Sequence, residues 1–253
     1  MKRKLVLAIV AAAVLALGCG LAFAADYQGM IAAGDSLYAQ RADMNKAKAA
    51  AEAYRQAIAA DPAKAEGYWK LTRTLYWVGD HTPGDDNKVV IFEEAINSAK
   101  KAAELAPGEV QGHYWLGVVY GLYGQAKGIL KSLSLVDPIK AEMAKVIEID
   151  KSFNDGGAYR VLGRMYFKLP FFKGGDNEKS IENLKEALKY GPKSWLTHVY
   201  LSETYQAESM YKEAKEVLDQ AIAGGCAPDQ GPECPEWIAK AKDQLKAVEA
   251  KLK

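Results

Sequence analysis

The 253-residue chain is 49% hydrophobic and 26% charged, a globular composition that excludes a fibrous or intrinsically disordered protein. Its formal net charge is +1; beyond residue 24, Lys+Arg falls from 33 to 30 against 32 Asp+Glu, which leaves −2. Neither value is the electrostatic footprint of a nucleic-acid binder or of a protein drawn to an anionic membrane.

The chain opens on a targeting signal. Lys2, Arg3 and Lys4 precede an apolar run from Leu5 to Leu17, and Ala22-Phe23-Ala24 supplies a small-x-small cleavage site. A signal peptide over residues 1–24 is expected, with cleavage after Ala24, export to the periplasm and one domain over 25–253. The competing reading is a membrane-anchored lipoprotein attached through Cys19. Against it, Ala16 stands where a lipobox prefers Leu, and Leu17 stands where it prefers a small residue.

From there on the pattern is a recurring helical pair. Small residues let two antiparallel helices approach closely, and large ones fill the groove between neighbouring pairs. The first unit shows Leu37, then Ala50, Tyr54, Ala57 and Pro62; the second shows Tyr68 and Leu71, then Ala95, Ala99, Ala102 and Pro107. In the third, Leu116-Gly117 and Tyr120 are followed by Met143 and Val146. The fourth has Tyr159, Leu162-Gly163 and Tyr166, then Leu184, Ala187 and Pro192, and the fifth has Leu201 and Tyr205, then Ala214, Leu218 and Ala221. Asp61-Pro62 and Asp137-Pro138 read as an N-cap followed by a first-turn proline. The expected fold is therefore all-α, a tetratricopeptide-like solenoid of about five degenerate repeats. Trp237, Ile238, Ala241, Leu245 and Val248 form one apolar stripe, which predicts a capping helix over about 235–252.

Pro62 and Pro107 lie 45 residues apart, against about 34 for a regular unit. The excess is read as a loop at Gly79–Asp86, with further insertions at Gly124–Leu135 and Leu169–Asp176. All three fall between first and second helices, so they gather on one rim and partly roof the concave side. Cys226 and Cys234 flank a turn-forming stretch, and in an exported chain they read as a disulfide.

Several segments resemble a known family. Tyr114-Trp115-Leu116-Gly117, Lys127-Gly128-Ile129-Leu130 and Tyr159-Arg160-Val161-Leu162-Gly163-Arg164-Met165-Tyr166 are similar to the TRAP-transporter-associated tetratricopeptide repeat family (TatT or T-component). Leu169-Pro170, Gly174-Gly175-Asp176 and Thr197–Leu201 fit the same pattern. The regulator of microtubule dynamics proteins look similar, more distantly, through the Leu-Gly-Arg-x-Tyr segment. The first resemblance implies a non-enzymatic periplasmic accessory of organic-acid uptake, with a solute-binding protein or a small organic acid as its partner.

Positions 2, 5, 9 and 12 of each first helix face the concave side of such repeats. They place Trp69, Arg73 and Tyr76, then Tyr114 and Val118, then Arg160, Arg164 and Phe167 around one hollow. Arginines offer a planar fork to a carboxylate, and aromatic rings bury an apolar body. The candidate ligand-binding set is thus Arg73, Arg160, Arg164, Trp69, Tyr76 and Tyr114, weighed against ordinary ion pairing and inter-repeat packing. His81 with Asp80, Asp85 and Asp86 lacks a metal-ligand spacing; His113 and His198 fall where large residues pack. Phe171-Phe172 closes the pocket, meets another molecule or folds back on the fourth unit. No catalytic set, metal or cofactor is expected, no nucleic acid is implied, and homo-oligomerisation is left open. The alternative function is a scaffold in envelope assembly that holds an extended peptide or a helix.

Overall fold

A computed structural model describes residues 27–226 and 231–253; the expected signal peptide, Cys19 and the stretch 227–230 lie outside these residues. Small and apolar residues spaced three and four apart give helices in consecutive pairs. The first pair is α1 (residues 27–38) and α2 (Met44–Ala60), the second α3 (Ala65–Asp80) and α4 (Asp85–Leu105). In the third, α5 (Val110–Lys127) and α7 (Val136–Asp150) flank the short α6 (Ile129–Ser134). The fourth joins α8 (Phe153–Lys168) to α9 (Asn177–Tyr190) through a single 3-10 turn at Phe171–Lys173. The fifth is α10 (Trp195–Ala207) and α11 (Tyr211–Gly224), and α12 (Glu233–Lys251) covers it. No strand occurs among the described residues. The helical-hairpin solenoid is as expected.

Each unit repeats one core contact. The buried alanines of the second helices (Ala50 and Ala57, Ala95 and Ala102, Ala187, Ala214 and Ala221) bring the paired backbones together. Tyr54, Met143, Leu184 and Leu218 fill the space beside them, fully buried. Gly112 shows how close the approach is: a Cβ there would lie 2.6 Å from the backbone nitrogen of Ala103. Backbone cannot yield as a side-chain tip can, so Gly112→Ala is expected to cost about 1–3 kcal/mol by urea unfolding. Gly108→Ala, with nothing within 4 Å of its Cβ, should be near neutral.

Two local expectations change. Asp61-Pro62 does not cap α3: the helix starts at Ala65, and Asp61 Oδ1 instead accepts from the Ala63 amide at 3.2 Å. Three unit boundaries share this proline turn. Asp61, Ala106 and Gly191 donate to the carbonyls of Ala57, Ala102 and Ala187, each at 3.0 Å, and the chain re-enters a helix four residues later. The proline fits because its position needs no donor. At Asp137-Pro138 the helix has already begun, so Pro138 sits in the first turn of α7 while Leu135 precedes it. The excess of the second unit is not a loop either. It is absorbed in α4, which runs 21 residues, leaving only residues 81–84 as the connection.

Candidate functional site

The repeats curl around a cavity of about 1310 Å³ walled by first helices α3, α5, α8 and α10. The array closes on itself. Arg41, in the turn between α1 and α2, forks onto Glu233 at the start of α12, with Nε to Oε1 at 2.8 Å and Nη2 to Oε2 at 2.6 Å. That guanidinium lies 4.5 Å from the Tyr38 ring and 5.4 Å from the Trp77 ring, and the Trp77 indole donates to the Arg41 carbonyl at 2.7 Å. The Cys226–Cys234 disulfide, formed as the sequence suggested, ties the start of α12 to the end of α11 one residue from Glu233.

The concave charges follow the repeat register. Gly34, Gly117 and Gly163 face Tyr54, Met143 and Leu184 in equivalent contacts, which aligns the units. The position after each of them, or after its counterparts Thr72 and Ser202, reads Asp35, Arg73, Val118, Arg164 and Glu203. Equivalent positions on neighbouring first helices meet. Arg73 therefore faces Asp35 at 3.8 Å, and Arg164 is ion-paired with Glu203. Burial alone would raise the Glu203 carboxyl, but Arg164 and Lys240 outweigh it and hold it below its ordinary range. Arg73 also stacks on Tyr38 at 4.0 Å, and its buried Nε has no hydrogen-bond partner among the described residues. The ladder runs acid, base, apolar, base, acid, with the apolar rung in the middle.

Arg160 occupies the register position of Tyr114 and is only 7% exposed. It supports an unusual turn. Asn154, Asp155 and Gly156 are all left-handed, with φ of 52°, 58° and 68°, a conformation costing a non-glycine residue about 1–2 kcal/mol. Gly156 is obligatory there for a second reason, because a Cβ would lie 2.8 Å from the Ala187 backbone. Arg160 Nη2 donates to the Asn154 carbonyl at 3.1 Å and to the Tyr114 hydroxyl at 3.3 Å; Nη1 reaches the Asp155 carbonyl at 3.3 Å and Thr197 Oγ1 at 3.5 Å. The Asn154 amide donates to the same Tyr114 hydroxyl at 2.6 Å. All these acceptors are neutral. No carboxylate pairs with Arg160 among the described residues, so its charge acts on the cavity unneutralised.

Rings line much of the remaining wall, among them Tyr76, Tyr114, Trp115, Trp195, Tyr200 and Trp237. Tyr76 packs on Trp115 at 5.5 Å, Tyr200 on Trp237 at 5.6 Å, and Arg164 lies 4.1 Å over Tyr200. Burial pushes the Tyr76 phenol well above its ordinary range, and it pushes Tyr200 up against the opposing pull of Arg164 and Arg160. Both are neutral hydroxyls at any physiological pH. At the mouth, burial and then the Arg164 charge lower the Lys168 ammonium. Six cationic side chains (Arg41, Arg73, Arg160, Arg164, Lys168 and Lys193) line the cavity. Arg41, Arg73 and Arg164 are offset by Glu233, Asp35 and Glu203, which leaves Arg160, Lys168 and Lys193 against Asp80 and Asp155, a small positive surplus.

Five of the six expected ligand-binding residues, Arg73, Tyr76, Tyr114, Arg160 and Arg164, border this one cavity. Trp69 does not; it stands beside Arg73, with the guanidinium 5.3 Å from its ring. Sequence reasoning missed Tyr38, Arg41, Trp195, Tyr200 and Trp237, because the register was not carried into the first and fifth units or the cap. The histidines are structural. His113 bonds Glu142 at 2.6 Å and the Pro107 carbonyl at 3.1 Å, while His198 bonds the Ser194 carbonyl at 2.8 Å. His81 lies against Trp77 at 3.7 Å, and no group of three potential metal ligands occurs among the described residues.

Stacked antiparallel pairs with this register define a tetratricopeptide-type solenoid closed around an internal cavity. Residues 30–170 match the family described as Regulator of microtubule dynamics protein 1-3, more than half of the sequence, and the chain belongs to that family. Among solved structures, it is similar to the tetratricopeptide repeat protein TTC0263 of Thermus thermophilus, with a TM-score of 0.64 at 18% identity over 87% of this chain and 99% of that one. It is also similar to pilF of Pseudomonas aeruginosa, with a TM-score of 0.59 at 14% identity over 91% and 92% of the two chains. At such identities the likeness is one of fold. No curated protein sequence matches.

Proposed function

We propose that this chain is a non-enzymatic binding protein that takes a carboxylate with an apolar body into its closed cavity. The observation that carries this reading is Arg160, a buried guanidinium without a carboxylate partner among the described residues, set beside tyrosine and tryptophan rings. A neutral ring wall buries the ligand's apolar part, and the surplus positive charge draws its anionic end. Following the resemblance read from the sequence, its setting is the periplasm and its role that of an accessory to TRAP-type organic-acid uptake.

Val118, the apolar rung between Arg73 and Arg164, provides the test. Val118→Glu adds a fixed negative charge to the wall of the same cavity, so affinity for a carboxylate identified by native mass spectrometry of the purified protein should fall about 100-fold through like-charge repulsion and a weakened charged contact. Helicity should stay unchanged. Equal binding by Val118→Glu and the parent chain would sink the reading.

The cavity volume favours one second reading. At about 1310 Å³ it exceeds the roughly 300–1,000 Å³ of ordinary small-molecule sites, which suits a scaffold holding a peptide segment. In that case the ligand recovered would be a peptide, with its carboxylate in the same place.

A further inference from the structure

The rim of the third and fourth units carries exposed apolar side chains beside the cavity. Ile129 and Leu130 on α6 are 54% and 82% exposed, and Phe171 and Phe172 on the neighbouring 3-10 turn are 87% and 72% exposed. Both segments connect a first helix to a second, so they project from the same edge of the solenoid. Both also border the cavity mouth, through Gly128 and Ile129 on one side and Lys168 and Leu169 on the other. Phe171 and Phe172 do not fold back on the fourth unit; they stand out edge to face, with centroids 6.3 Å apart. Their backbone is held firmly: Pro170 accepts from the amides of Lys173 and Gly175 at 2.9 and 3.0 Å, and Asp176 donates to the Tyr166 carbonyl at 3.1 Å.

Lysines bracket both tips. Lys127 and Lys131 flank Ile129-Leu130, while Lys168 and Lys173 flank Phe171-Phe172, and none of the four has a carboxylate partner among the described residues. Four ammonium groups without carboxylate partners among the described residues flank these two tips of four exposed apolar side chains, on a chain of nearly neutral net charge. We propose that this rim docks the protein on the surface of an anionic lipid bilayer, with the two tips entering the headgroup–acyl boundary and the lysines remaining at phosphate level. A bilayer accepts separate apolar points without needing a matching pocket for each, and aromatic rings with lysines beside them are the side chains that favour its interface. A protein partner would have to present two pockets in register. Net charge conceals the tips because acidic residues stand on the same edge, Asp80, Asp85 and Asp86 at the second unit's connection and Asp176, paired with Lys179, at the fourth.

Docking does not depend on the cavity being occupied, so it is tested separately, by co-sedimentation of the chain from residue 25 onward with lipid vesicles. Binding to vesicles of roughly one-third phosphatidylglycerol should exceed binding to pure phosphatidylcholine by about tenfold or more, since each lysine near the surface contributes roughly fivefold. It should weaken as salt is raised. Phe171→Ser/Phe172→Ser should lower the partition by about tenfold or more with circular dichroism unchanged, because neither ring is part of the core. A Phe171→Trp variant should show indole fluorescence quenched by brominated acyl chains. Protein that stays in the supernatant with both vesicle types overturns the proposal and assigns the rim to a protein partner. Binding that survives the double serine variant overturns it as well.

Discussion

Replacing Arg160 by Met should lower stability by about 2–4 kcal/mol, because the variant removes the donor that holds two carbonyls of a left-handed turn. In a domain of this length that is a fall in melting temperature of roughly 5–15 °C. Two effects oppose each other. Removing a buried, unpaired positive charge relieves a desolvation cost, and this favours the variant. Against it, the Asn154 and Asp155 carbonyls lose their side-chain donor, the Tyr114 hydroxyl keeps only the Asn154 amide, and two non-glycine residues are left in left-handed geometry without that brace. The acceptors remain in place, so their loss wins; an exchange that removed both sides would be nearly neutral. Arg164→Met is the control. Its partner Glu203 keeps Lys240 at 3.0 Å and Gln244 at 3.1 Å, so a loss of about 1 kcal/mol is expected. Equal losses in thermal unfolding would show that Arg160 does not brace the turn.

The contrast between these two arginines also shows what could be read from the sequence. Alanine spacing, Leu-Gly pairs and boundary prolines describe contacts within a unit and between neighbours, so five pairs and a cap were legible. The Arg164–Glu203 pairing was legible too, by carrying the register one unit further. The Asn154-Asp155-Gly156-Gly157 stretch is a turn signal that was passed over inside a helical pattern, and it turned Arg160 inward as a brace. The prolines were misplaced for a related reason: the turn is fixed by carbonyls of Ala57, Ala102 and Ala187 in the preceding helix, and Asp-Pro alone does not reveal them. Closure was beyond reach. It depends on a small rotation per repeat summed over five units, and no local pattern connects Arg41 to Glu233.

That closure gives the other large effect. Charge reversal at Arg41→Glu should shift the balance of closed and open arrays by about 30–150-fold, corresponding to the loss of a charge-assisted bidentate pair of about 2–3 kcal/mol. Both partners are largely shielded from solvent, with side chains 13% and 17% exposed, so screening discounts the pair less than it would at the surface. A second ion pair near these ends is weak: His81 Nε2 lies 3.8 Å from Glu236. Helix α12 is anchored to its own side by Ala241 and Val248 in the core and by the disulfide, so the variant should part the two ends without releasing the cap. Pulsed dipolar spectroscopy between spin labels in α1 and α12 would read this as a broad, longer distance distribution. Glu233→Arg should open the array equally, and the double reversal Arg41→Glu/Glu233→Arg should close it again. Rescue is the decisive arm, since the Tyr38 and Trp77 rings that flank Arg41 favour a cation over a carboxylate. If the single reversals stay closed, apolar contact around Trp237 holds the ring shut and the ion pair only sets its register.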